Sequence, residues 1–281
     1  MTKLQTKNIY FARHGERIDF IDKKWKETTK WHLNPPLSPY GLQQADELGV
    51  YVAKLQPRIT HIYTSPFLRT IQTALQVANE LNKNVSSSHE LTKIRLELGY
   101  GEYFLNDVIS NDNYIYQPLD QLSEISQNVN YFDHDYASVF QSNYYSQARE
   151  ETRQQLRNRL KQVIRCTLDA HTTDCNILIV THAATLIEGV RTLVTVSKER
   201  SQEVVTKKEV IIATNQENNN LSAWDMSPIR AGVCSLTHLE LLDDNWTVSK
   251  NGLTSYLSKG EQNFWMFPED APLYEKTEFS V

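Results

Sequence analysis

The strongest constraint on how this chain folds is the order of four short apolar runs: "IYFA", "THIYTS", "NILIVTH" and "VCSLTHLELL". Strands buried on both faces read as unbroken apolar runs, and parallel neighbours need a helix-length crossover between them. Helical patterns separate the first three runs, so the spacing predicts βαβ units in an α/β fold. "LSPYGLQQADELGVYVAKLQ" starts with Ser38 placed to cap and Pro39 at the first helical position. "PFLRTIQTALQVANELNK" gathers Phe67, Ile71, Leu75 and Val77 or Ala78 on one side. "SQAREETRQQLRNRLKQVIRCTLDAH" carries an apolar stripe of Leu156, Leu160, Val163 or Ile164, and Leu168. "AATLIEGVRTLV" continues as a further helix.

A length of 281 residues suits one large domain, here expected over residues 1–267. Two stretches break the rhythm. Residues from about 105 to 145 are rich in Asn, Asp, Tyr, Gln and Ser, and read as an insertion forming a wall of any pocket; a second excursion spans about 196–228. Residues 268–281 read as a polar C-terminal tail that frays.

A net charge of −5 argues against direct binding of nucleic acid, which would show as a basic patch. Three cysteines, Cys166, Cys175 and Cys234, are widely spaced, without CxxC or a neighbouring histidine. That spacing indicates a reducing compartment and no zinc site. The N-terminus lacks an apolar signal core, and no run approaches the about 18 apolar residues of a membrane span. The expectation is a cytoplasmic or nuclear protein without membrane attachment.

The chemistry gathers where strands end. "FARHGER" leaves the first strand with Arg13, His14 and Arg17, and Gly15 lets the backbone turn closely beside His14. "YTSPFLRTIQTA" turns at Ser65–Pro66 and puts Arg69 in the first turn of a helix; "ILIVTHAATL" ends a strand at His182. Singly, Arg69 reads as a solvated helix charge and His182 as a satisfied strand-end histidine. Jointly, histidines and arginines at the carboxyl rim of a parallel sheet describe a site for a dianionic phosphate. Guanidinium groups match phosphate oxygens in pairs, and helix N-termini add positive potential.

The elements "RHGER", "PPLSPYGLQQA", "SPFLRTIQTA", "GYGEY" and "VTHAAT" together resemble the histidine phosphatase superfamily, branch 1, over roughly residues 8–195. The resemblance implies a three-layer sandwich like phosphoglycerate mutase, its mostly parallel central sheet flanked by helices. It implies a phosphoric monoester hydrolase without cofactor or metal. His14 is then the nucleophile, Arg13, Arg69 and His182 form the phosphate pocket, and Arg17 matches an additional pocket arginine. Glu102, in "GYGEY", sits where the family carries its acid, with His182 counted among the catalytic residues. Glu90 and Glu97 lie nearby and read as solvated acids, and Glu16 as structural.

"RHGERIDF" lacks the Ser or Thr and the Asn that follow "RHGE" in mutases. "RHGERID" and "FDHDYASVF" are similar to the phosphatase domain of the ubiquitin-associated and SH3-containing suppressors of T-cell-receptor signalling. "IRAGVCSLTHLEL" and "NWTVSKNGLTSYLSKGEQNFWMF" are similar to the phosphatase-like subunit of yeast transcription factor IIIC and its stand-alone paralogue, which implies a fungal member. The expected substrate is a phosphotyrosine-like or other bulky phosphoester, on a small molecule or a protein. Tyr131, Phe132 and Tyr136 are either a ring-binding wall or ordinary packing. The rival readings are a catalytically weak interaction subunit of a transcription-factor complex and a sugar-phosphate phosphatase. A homodimer is left open.

Overall fold

The computed structural model describes residues 6–87, 90–103, 122–140, 151–171, 175–206 and 228–275. One sheet contains β1 (Thr6–Arg13), β2 (His61–Thr64), β3 (Ile94–Leu96), β4 (Cys175–Thr181), β5 (Leu236–Leu242) and β6 (Asn245–Leu253), in the order β3-β2-β4-β1-β5-β6. The first four run parallel to one another. β5 pairs antiparallel with β1 and β6 antiparallel with β5, closing that edge as a hairpin. The helices are α1 (Ile18–Ile21), α2 (Pro39–Val52), α3 (Leu68–Asn82), α4 (Ser123–Gln127), α5 (Arg153–Asp169), α6 (Ala183–Thr206) and α7 (Ala271–Glu275).

Strand alternation builds the three layers. Tyr10, Ala12, Ile62, Leu178 and Val180 face the core under α2 and α3. Ile9, Phe11, Ile177 and Ile179 face the opposite core under α5 and α6. Leu48, Ile71, Leu160 and Ile187, one from each covering helix, are fully buried. Each such side chain contributes about 1.5–3 kcal/mol.

The helix starts follow from their caps. Ser38 Oγ accepts from the Gly41 amide at 2.9 Å, with Pro39 next in line. Thr152 and Gln155 form a reciprocal capping box, which starts α5 at Arg153, several residues inside the apolar pattern.

Two expectations are corrected. Residues 268–275 are not a fraying tail: they form a 3₁₀ turn and α7, and Asp270 is buried. Asp270 accepts from Arg153 at 2.9 Å and Arg191 at 2.8 Å, and the fully buried Glu188 pairs with both arginines. The second excursion begins later than about 196, because α6 continues to Thr206; residues 207–227 lie outside the described ones. Of the insertion, residues 122–140 run along the β3 edge, where Phe132 bridges to Ile94. Residues 104–121 and 141–150, and with them the expected pocket wall, lie outside the described residues.

Candidate active site

Strand register brings the site together. Arg13 pairs with Thr181 and Thr64 with Val180, so β1, β2 and β4 end on one rim. The His14 amide donates to Thr181 O at 3.0 Å and the Ser65 amide to Val180 O at 3.1 Å, extending the ladder one residue past each strand. Gly15 is required by proximity: a Cβ there would lie 2.5 Å from Gly41 O on α2. A side chain at Gly15 would therefore push the His14 loop off the helix.

His14 is 2% exposed, and its Nδ1 lies 2.7 Å from Gly15 O. Only a protonated Nδ1 can donate to that carbonyl, so Nε2 keeps its lone pair. Burial, then Arg69, Arg13 and His182, hold the His14 pKa well below the usual imidazole value, so the ring is neutral at pH 7. The His182 ring stands 5.3 Å away at 64°.

Arg69 enters from the first turn of α3, 1% exposed and stacked over Phe67 at 4.7 Å. Its Nη2 donates to Glu102 Oε2 at 3.0 Å and reaches His182 Nδ1 at 3.2 Å. Its Nε and Nη1 are buried without a hydrogen-bond partner among the described residues, as is Nε of Arg13. Buried charged donors without acceptors are costly, and an anion bound beside them would satisfy them. Burial lowers both Arg13 and Arg69 to about 10, which leaves each charged at pH 7.

His182 Nε2 lies 2.8 Å from Ser65 Oγ. Arg69 can only donate, so in the neutral ring Nδ1 accepts and Nε2 donates to Ser65. Burial lowers His182 to about 4, against the pull of Glu102. A proton on Nδ1 would turn instead to Glu102 Oε2, 3.2 Å away.

Glu102 is delivered by the 3₁₀ turn Leu98–Tyr100. That turn is pinned by Thr181 Oγ1 on Tyr100 O (2.6 Å), Thr185 Oγ1 on Gly101 O (2.7 Å) and Arg159 on Gly99 O (2.8 Å). Burial pushes the Glu102 carboxyl up, but the contacts with His182 and Arg69 outweigh it and hold the group well below the usual carboxylate range. We attribute this to Arg69, the permanent charge in contact with it. Glu102 is therefore ionised and occupies the Nη2 edge of the guanidinium.

Arg17 is held by Asp19 through two bonds, Nε to Oδ1 at 2.9 Å and Nη2 to Oδ2 at 2.7 Å. Burial pushes Asp19 up, but the Arg17 pair wins and keeps its carboxyl below the usual value. Arg13 is anchored by the carbonyls of Ala231 (2.7 Å) and Asn263 (2.5 Å). The sequence reading missed Asp19, Ser65 and these two carbonyls. Asp19 left a signal, an acid two residues after Arg17; the carbonyls, 218 and 250 residues from Arg13, left none.

His14, Arg69, His182 and Glu102 stand together, and Arg17 is within electrostatic reach of Arg13, Arg69 and His182, while two neighbouring readings change. Glu97 is no solvated acid: it is fully buried and accepts from Gly99 N (2.7 Å), Ser138 Oγ (2.8 Å), Val139 N (2.9 Å) and the Tyr136 hydroxyl. Glu90 is exposed, as expected. Glu16 is structural, accepting from Ser38 Oγ at 2.7 Å. Phe132 is buried in the core, Tyr136 packs on Tyr63, and Tyr131 reaches Asn79, so these aromatics are packing groups.

A neutral histidine with a fixed lone pair, facing buried guanidinium donors at the carboxyl rim of an α/β sheet, is a site for phosphoryl chemistry. Residues 9–103 match the histidine phosphatase superfamily (branch 1). The chain is 26% identical to the transcription factor tau 55 kDa subunit of Saccharomyces cerevisiae, over 92% of its own length and 58% of the relative's. It is 27% identical to the ecdysteroid-phosphate phosphatase of Drosophila melanogaster, over 65% of its own length and 26% of the relative's. It therefore spans only part of the curated relatives it matches. The fold is similar to the ecdysone phosphate phosphatase of Bombix mori, solved with tungstate: TM-score 0.63, 17% identity, 92% of this chain and 98% of that one.

Proposed function

We propose that this chain is a phosphoric monoester hydrolase working through a phosphohistidine on His14. The observation that carries this reading is the pairing of a lone-pair-bearing His14 with two buried donors of Arg69 that have no partner among the described residues. In the first step Nε2 attacks phosphorus in line, the N–P bond forms and the ester P–O bond breaks. Arg69, Arg13, Arg17 and His182 take the equatorial oxygens as charge develops there. A phosphate drawing Arg69 away from Glu102 raises the carboxyl's proton affinity, so Glu102 acquires a proton and gives it to the leaving oxygen. In the second step Glu102 takes a proton from water, the water attacks phosphorus, the N–P bond breaks and phosphate leaves.

The expected substrate is a bulky phosphoester, phosphotyrosine-like or of a large alcohol. Two observations support it: similarity to phosphatases named for steroid phosphates, and the absence of the mutase residues after "RHGE". Membership of a transcription-factor assembly is a second reading, favoured by the yeast relative over 92% of the chain. A panel of p-nitrophenyl phosphate, phosphotyrosine peptides, a steroid phosphate and sugar phosphates tests the first. Turnover of the bulky esters that His14→Ala abolishes is the expected result. A chain without turnover on any of them, or one unaffected by His14→Ala, overturns the proposal.

A further inference from the structure

The rim opposite the phosphate pocket gathers a second group of side chains. His61 opens β2, Cys175 opens β4, and His171 follows the end of α5. One ligand atom from each of the three lies within 4.8 Å of the others. The two imidazoles are 4.2 Å apart between centroids and tilted by 56°. His171 and Cys175 are buried and His61 is partly exposed, so the group opens to solvent on one side.

Each ring has one nitrogen engaged by a hydroxyl. His61 Nδ1 lies 2.9 Å from Thr60 Oγ1, and His171 Nε2 lies 2.9 Å from the Tyr63 hydroxyl. Such outer partners orient metal-ligating histidines and leave the other nitrogen for the ion. Around zinc, ligand atoms at the usual 2.0–2.3 Å bond lengths stand about 3.3–3.6 Å apart. Closing from 4.8 Å to that spacing shortens the separation by about 1.2–1.5 Å. Arg95 opposes a cation here, reaching His171 Nε2 at 3.4 Å, but Asp133 already matches its charge at 2.8 Å.

We propose that His61, His171 and Cys175 bind one zinc ion, with water from the open side completing a tetrahedron. Two imidazoles and a thiolate suit zinc in preference to magnesium or calcium, which take oxygen ligands. The ion clips together the starts of β2 and β4 and the chain leaving α5. It lies at the far end of the sheet from His14 and takes no part in the phosphate chemistry.

Cobalt(II) titrated into the full chain, without added thiol and under argon, reads the site directly. A thiolate-to-cobalt charge-transfer band requires sulfur, and the nitrogen and oxygen groups of the phosphate pocket cannot supply it. The expected result is a saturable band at one cobalt per chain, displaced by zinc. It should disappear in Cys175→Ser and persist in Cys166→Ser and Cys234→Ser. His61 is partly exposed, so His61→Ala should leave the melting temperature nearly unchanged while weakening cobalt binding more than about tenfold. No band in the unmodified chain, a band that survives Cys175→Ser, or unchanged affinity in His61→Ala overturns the proposal.

Discussion

Arg69→Met separates the binding role of the buried guanidinium from any role in holding the fold. The side chain is 1% exposed, and Nε and Nη1 have no partner among the described residues. If both face a bound phosphate, the substitution removes two charge-assisted hydrogen bonds, each worth about 1.5–3 kcal/mol. Together that is about 3–6 kcal/mol, or about 10²–10⁴-fold in affinity for a phosphate-like anion. Stability should move differently. Methionine fills similar space without stranding donors, and Glu102, 19% exposed, can turn to solvent once its cation is gone. The melting temperature should therefore hold or rise. The assay is vanadate inhibition of p-nitrophenyl phosphate hydrolysis, with a thermal melt of the same preparation. A folded variant with unchanged vanadate inhibition would remove Arg69 from the anion site. A large fall in melting temperature would show that it is a structural arginine instead.

Three further outcomes follow from the same geometry. Glu102→Gln should slow phosphorylation of the enzyme by an alkyl phosphate by about 10²–10⁴-fold, and by p-nitrophenyl phosphate much less, because nitrophenolate leaves unaided; rapid-quench kinetics compares the two. Glu97→Gln should leave the chemistry nearly alone but lower stability by about 1–3 kcal/mol in urea unfolding, since it places an amide against buried donors. His182 is lowered from 6.5 to about 4, and the pKa of His14 is lowered as well. Between those pH values the unfolded chain binds protons that the folded one refuses, so stability rises with pH. Urea midpoints should fall as pH drops from 6.5 toward 4, and a flat profile would contradict the burial of these rings.

The layers were legible because burial leaves a periodic trace. Ile9 and Phe11 alternate with Tyr10 and Ala12, and the stripe from Leu156 to Leu168 repeats at helical spacing. The pocket was legible because Arg13, His14, Arg69 and His182 each end a strand or start a helix, where sequence punctuation marks the place, whereas Glu102 was placed only by its family resemblance. What escaped depends on contacts that leave no local pattern. Glu97 resembles any surface acid until Ser138 and Tyr136 close over it. The carbonyls that aim Arg13 carry no side-chain signature. β3 is only three residues long, and Arg95 within it is polar, so no apolar run announces it. The cysteine spacing argued against a zinc site because it sees only neighbours in the chain. Parallel pairing of β2 with β4 is what sets His61 beside Cys175, 114 positions later.

The central claim is a covalent bond between His14 and phosphorus, and trapping that bond tests it most directly. The full chain is mixed with p-nitrophenyl phosphate, quenched in alkali within milliseconds and digested for mass spectrometry, with Glu102→Gln run alongside to slow the second step. The predicted result is one phosphoryl group on the peptide containing His14, lost on acidification and absent from His14→Ala. Turnover without any phosphopeptide, or a phosphoryl group on another residue that persists in His14→Ala, would contradict it.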